Sequence, residues 1–171
     1  MANTYTAIST ITVGSSGSSS MLFDSIPANF RDLCLVFSLR EDTDDRSMKI
    51  TFNNDSSTVY SEKTIFGSAG TVYNSTGSSQ SYLSPNTASA PSPAVANSFG
   101  NGCLYIASYS NPSHSKTVVI DTITENNAAG NAGNSRYVGT WANNSAISRI
   151  TIMAWASKFV EYSTATLYGI K

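Results

Sequence analysis

Charge is scarce in this chain: Asp, Glu, Lys and Arg supply 12% of its 171 residues, about half the usual share of roughly 25%. The 10 basic and 11 acidic residues leave a net charge of −1 and are thinly spread. No basic stripe is available to neutralise nucleic-acid phosphates, and no polybasic patch to hold an anionic membrane. Long apolar runs are missing as well. The longest, residues 33–37, is far too short to cross a bilayer. Met1-Ala2-Asn3-Thr4-Tyr5 has neither the positive region nor the apolar stretch of a secretory signal, which predicts synthesis in a cytoplasm without dedicated export.

Histidine occurs once, at His114, and cysteine twice. Two cysteines without neighbouring His or further Cys make no zinc set. Cys34 and Cys103 both sit in apolar, strand-like runs. They read as buried reduced thiols, with a disulfide between neighbouring strands as the alternative. Helical periodicity is absent too, since no stretch holds a 3.6-residue period for three turns.

What remains is β-pattern. The apolar fraction is 40% and aromatics reach 11%, enough to offset ordering entropy despite the low charge. Segments with β-rich or alternating pattern cover residues 5–13, 20–23, 33–40, 48–53, 102–109, 117–124, 136–141, 147–155 and 165–170, separated by Gly, Asn, Pro and Ser turns. Residues 59–66 and 71–73 fit short strands or a helical turn. Leu33, Leu35, Phe37 and Leu39 alternate with Cys34 and Val36, so both faces are apolar and the strand belongs near the centre of a sheet. Residues 67–97, rich in Ser, Gly, Ala, Asn and Pro, form the one long irregular region. Tyr73, Tyr82 and Leu83 interrupt it, which predicts an ordered arm or short edge strand. About eight to ten strands at this spacing predict an all-β, antiparallel two-sheet β-sandwich, jelly-roll-like, in one domain over residues 1–171.

Chemistry finds little footing. His114 lies in the turn Asn111-Pro112-Ser113-His114-Ser115, and no nucleophile elbow accompanies it. Asp121 and Glu125 are close in sequence and Glu62 and Glu161 isolated, so no glycosidase pair is defined. Glu41-Asp42-Thr43-Asp44-Asp45 offers oxygen ligands for calcium but lacks the EF-hand glycine and distant glutamate. It reads as a solvated loop neutralised by Arg40 and Arg46. No phosphate-cradling loop or dinucleotide fingerprint exists, and no cofactor is expected. Trp141 and Trp155 are expected in the core. Tyr73, Tyr82 and Leu83 in the irregular region, with Asn127 and Asn131 in the Gly/Asn loop, are the candidate contact residues.

Several blocks carry a resemblance when read together. They include Ser25-Ile26-Pro27-Ala28-Asn29-Phe30-Arg31-Asp32-Leu33 running into Ser38-Leu39-Arg40, then Ile50-Thr51-Phe52-Asn53-Asn54-Asp55 with Tyr60-Ser61. Ala96-Asn97-Ser98-Phe99-Gly100 and Asn111 with Lys116-Thr117 follow. The series ends with Gly139-Thr140-Trp141, Ala146-Ile147-Ser148-Arg149-Ile150 and Leu167-Tyr168-Gly169-Ile170. Their order and spacing over about residues 20–171 resemble a β-sandwich domain family of tailed-bacteriophage virion structural proteins, of tail-fibre or capsid-decoration type. The resemblance implies a virion component and carries over no catalytic residue. Fibre versions stand behind a long stalk, whereas this chain is nearly all domain. That departure directs the expectation to a non-enzymatic capsid decoration or cement protein, with a tail-fibre or tail-tip adhesin as the alternative. The partners expected are copies of itself (a trimer or another closed oligomer), the major capsid or tail proteins and, for an adhesin, a host-surface glycan.

Overall fold

The computed structural model describes residues 4–68, 70–91, 94–124 and 132–171. Eleven strands follow one another with no helix among them: β1 Tyr5–Thr12, β2 Ser20–Phe23, β3 Asp32–Leu39, β4 Met48–Phe52, β5 Tyr60–Ser68 and β6 Thr71–Gln80. Then come β7 Gly100–Ile106, β8 Lys116–Ile123, β9 Gly133–Trp141, β10 Ile150–Ala154 and β11 Thr164–Ile170. They form two antiparallel sheets, one of eight strands in the order β1-β11-β3-β7-β8-β9-β5-β6 and one of three in the order β2-β10-β4. The fold is an all-β, two-sheet antiparallel sandwich, and a lopsided one.

Period-2 alternation builds the core. Leu33, Leu35, Phe37 and Leu39 of β3 point inward beside Leu104 and Ile106 of β7 and Val118 and Ile120 of β8. The small sheet answers with Met21, Phe23, Met48, Ile50, Phe52, Ile150 and Ile152. The expectation that β3 lies centrally holds, since β11 and β7 flank it. Trp141 is buried as expected, its ring 5.7 Å from that of Phe52.

The region 67–97 is not one irregular arm. Its first third is β6, paired antiparallel with β5 from Ser68↔Thr71 to Tyr60↔Gln80, so residues 60–66 and 71–73 are strand rather than helical turn. The following stretch turns inward. Leu83 exchanges backbone hydrogen bonds with Ile50 at 2.9 and 3.0 Å and is fully buried. Ala88 and Ser89 donate to the Arg46 carbonyl, and Ala90 to that of Leu39. Beneath them Thr122 and Ser135 donate to the Asn86 carbonyl at 2.8 and 2.9 Å, and Thr87 and Thr122 share a hydroxyl contact. Small hydroxyl residues can line this interior because their polar atoms find partners there.

Candidate functional site

The polar side chains that sequence patterns single out are mostly engaged in holding the sandwich together. Glu41, read as part of a solvated acidic loop, is fully buried and accepts from the Trp155 amide at 3.1 Å. Burial pushes its carboxyl up to about 7. Asp42 accepts from the Ser157 hydroxyl and the Lys158 amide, both at 3.2 Å. The loop is therefore fastened to residues 155–158. Among the described residues no three His, Cys, Asp or Glu side chains gather as metal ligands would.

Among the described residues, the carboxylates of Glu62 and Asp121 do not meet. Glu62 faces inward, taking hydrogen bonds from the Ser84 amide and hydroxyl at 3.0 and 2.8 Å and from the Tyr137 hydroxyl. Burial, with Glu62 behind it, pushes the Tyr137 phenol well above its usual range. Asp121 points the other way, onto the outer face of the large sheet, where Arg136 sits directly opposite at 3.6 Å. Glu125 lies outside the described residues. His114 is exposed in its turn, and only its carbonyl is used, accepting from the Lys116 ammonium at 2.8 Å.

Lys116 is the residue that patterning missed. It is fully buried, and its ammonium also donates to the carbonyls of Asn111 at 2.7 Å and Asn144 at 3.1 Å. Neighbouring ties follow the same plan. Asp55 accepts from the Trp141 indole at 2.8 Å, and the Ser57 hydroxyl, donating to Asp55, leads the contacts that hold this carboxyl below its usual range. Asn53 donates to the Ala146 carbonyl at 2.8 Å and accepts from the Ser148 and Arg149 amides. Tyr109 donates to the Pro27 carbonyl, and Asp32 accepts from Tyr105 at 2.6 Å and from the Ser108 amide at 2.9 Å. The blocks around residues 27–32, 53–55, 111–116, 141 and 146–149 thus contain the cross-links between turns.

The candidate contact residues do not converge. Tyr73 is 46% exposed and stacks on Phe66, ring centroids 5.0 Å apart. Tyr82 is half-buried and meets Trp155 edge-on, with the Lys49 ammonium 4.8 Å from the Trp155 ring centre. Trp155, expected in the core, is itself half-buried. Leu83 must be withdrawn as a contact residue because it belongs to the core. Asn127 and Asn131 lie outside the described residues.

The cysteines meet on the outer side of the large sheet. Cys34 on β3 and Cys103 on β7 are free thiols with sulfurs 3.3 Å apart, diagonal neighbours two residues off the direct pairs Cys34↔Tyr105 and Val36↔Cys103. A hydrogen bond from Cys34 stabilises the Cys103 thiolate and pulls that thiol down to about 7, while Cys34 is pushed up.

Two shallow grooves cross the same outer face. One of about 750 Å³ includes Val36, Ile65, Val72 and Ile123 around Asp121 and Arg136. The other, about 710 Å³, runs along Lys63, Thr117, Val119, Val138 and Thr140, with Glu62 at its margin. Among the described residues each includes one carboxylate, and these do not form the facing pair that acid–base hydrolysis of a glycoside needs.

No protein-family model matches this chain, and no curated protein does. Among solved structures the chain is similar to the galectin LEC-6 of Caenorhabditis elegans, at 14% identity and a TM-score of 0.40, over 92% of this chain and 94% of that one.

Proposed function

We propose that this protein is a non-enzymatic structural component of a bacteriophage virion, most nearly a capsid-surface decoration or cement protein. The observation that supports this reading is a surface suited to being covered. Seven of the large hydrophobics left exposed, among them Val36, Ile65, Val72 and Val138, share the outer face of the eight-stranded sheet. An antiparallel sheet facing water ordinarily presents polar residues there. The two edges of that sheet, β1 and β6, contain no charged residue and no proline, two of the guards against pairing with another chain, and the pairing of each carries one register shift. Together with the ordered blocks that resemble virion proteins, these features favour assembly over chemistry.

The test is the composition of purified particles. Mass spectrometry of virions from the phage encoding this chain should find it in copy numbers comparable with the major capsid protein. Particles lacking it should lose heat resistance while still adsorbing to host cells.

The adhesin alternative draws on Tyr73, whose exposed ring lies flat on Phe66 and offers a stacking surface for a sugar. It predicts a few copies per particle and adsorption lost with Tyr73→Ala.

A further inference from the structure

The register of the large sheet orders its outer face into rows. One runs Tyr168, Cys34, Tyr105, Val119, Val138 and Lys63 from β11 to β5; the next runs Thr166, Val36, Cys103, Asp121, Arg136 and Ile65. Val72 and Ile123 belong to a third row, and Tyr5 packs edge-on against Tyr168 with ring centres 6.1 Å apart. The face therefore has two unlike halves. Strands β1, β11, β3 and β7 present tyrosines and Val36. Strands β8, β9, β5 and β6 present five aliphatic side chains, Val119, Ile123, Val138, Ile65 and Val72, among polar neighbours such as Thr117, Asn134 and Thr140, with Ile65 at 61% and Val72 at 73% exposure. The charged side chains pointing from the middle of this face, Lys63, Asp121 and Arg136, all lie in the aliphatic half. Asp32, at the rim of the tyrosine half, is buried and tied to Tyr105.

We propose that this face docks against the same face of a second copy, related by a two-fold axis running along the strands between the two sheets. The inference rests on the assembly reading and names the partner of that surface. Such an axis lays the tyrosine half of each copy over the aliphatic half of the other. Lys63 and Arg136 of each copy then lie over β11 and β3 of the other, and Asp121 and Arg136 remain paired within their own copy. A two-fold contact must be self-complementary, and this division supplies that.

The area is also sufficient. Eight strands at about 4.8 Å spacing and about seven residues at ~3.4 Å rise cover roughly 900 Å². A stable interface needs about 800 Å² per partner. Two sheets stacked this way pack as the layers of a sandwich do. The predicted closed oligomer is thus a dimer rather than the trimer favoured from sequence.

Sedimentation of the full chain between about 1 and 100 µM tests this. Wild type should sediment at twice the monomer mass, and Val138→Glu or Ile123→Lys should weaken association at least tenfold. Both positions are solvent-exposed, and an unchanged β-sheet circular dichroism spectrum identifies the variant that reports cleanly. Leu22→Lys, at an exposed position on the small sheet, should leave the dimer intact. A wild type that stays monomeric throughout, or a dimer lost with Leu22→Lys and kept with Val138→Glu, overturns the proposal. Particle composition separates the two failures. A monomer present in virions refutes only the dimer, and a dimer absent from them refutes only the virion role.

Discussion

At the scale of single residues, buried ionisable groups act here as joints between turns. Lys116 satisfies three carbonyls from two separate turns. Lys116→Met keeps the stem but leaves those acceptors to water, and should cost about 1–3 kcal/mol, measured by urea denaturation. Unchanged stability would show that the joint carries no weight. Glu41 gives a pH signature. Folded Glu41 keeps its proton up to about 7, whereas the unfolded chain releases it near 4.5. The folded state therefore binds more protons in that window, and this group's contribution to stability declines as pH rises from about 4.5 to about 7, then levels off. Glu41→Gln should flatten that part of the profile, and equal slopes in both proteins would refute the assignment. Cys103, pulled down to about 7, should alkylate with iodoacetamide ahead of Cys34, and Cys34→Ala should slow it at neutral pH. The reverse order of labelling would contradict the Cys34-to-Cys103 hydrogen bond. None of these roles was legible in sequence. Glu41 turns inward to meet Trp155, and Lys116 reaches Asn144, partners far along the chain that local pattern does not identify.

Elements were legible where burial imposes alternation and illegible where it does not. β8, β10 and β11 alternate because one face meets the core, and their positions follow from that pattern. β6 reads Thr-Val-Tyr-Asn-Ser-Thr-Gly-Ser-Ser-Gln and is largely exposed on both faces. It is a strand because β5 pairs with it, a non-local cause. Held by one neighbour, β6 should exchange its amide hydrogens well before β3 and β8, and equal protection would contradict its edge position. β11 carries a second test. A Cβ at Gly169 would stand 2.3–2.5 Å from the Phe30 ring, so the segments around residues 30 and 169 meet at this contact. Gly169→Ala should destabilise by about 1–3 kcal/mol through displacement of that ring. A change below about 0.5 kcal/mol would mean that Phe30 moves aside freely.

At the scale of the whole molecule, the sandwich was legible from strand number and spacing, whereas the surface it presents was not. Val36, Ile65, Ile123 and Val138 looked like ordinary strand residues, because period 2 assigns alternate positions to opposite faces without saying which face a second layer covers. Only the strand order reveals that a three-stranded sheet covers one side of an eight-stranded one, leaving the apolar outer face open. The contact region expected at 67–97 accordingly divides, residues 83–91 turning inward and β6 remaining at the edge. That open face is the centre of the account, and a density map of the intact virion tests it most directly. Ordered copies of this sandwich should stand on the particle surface, with the outer face of each large sheet covered by that of a second copy. Particles without the sandwich, or with that face turned to solvent in every copy, would contradict it.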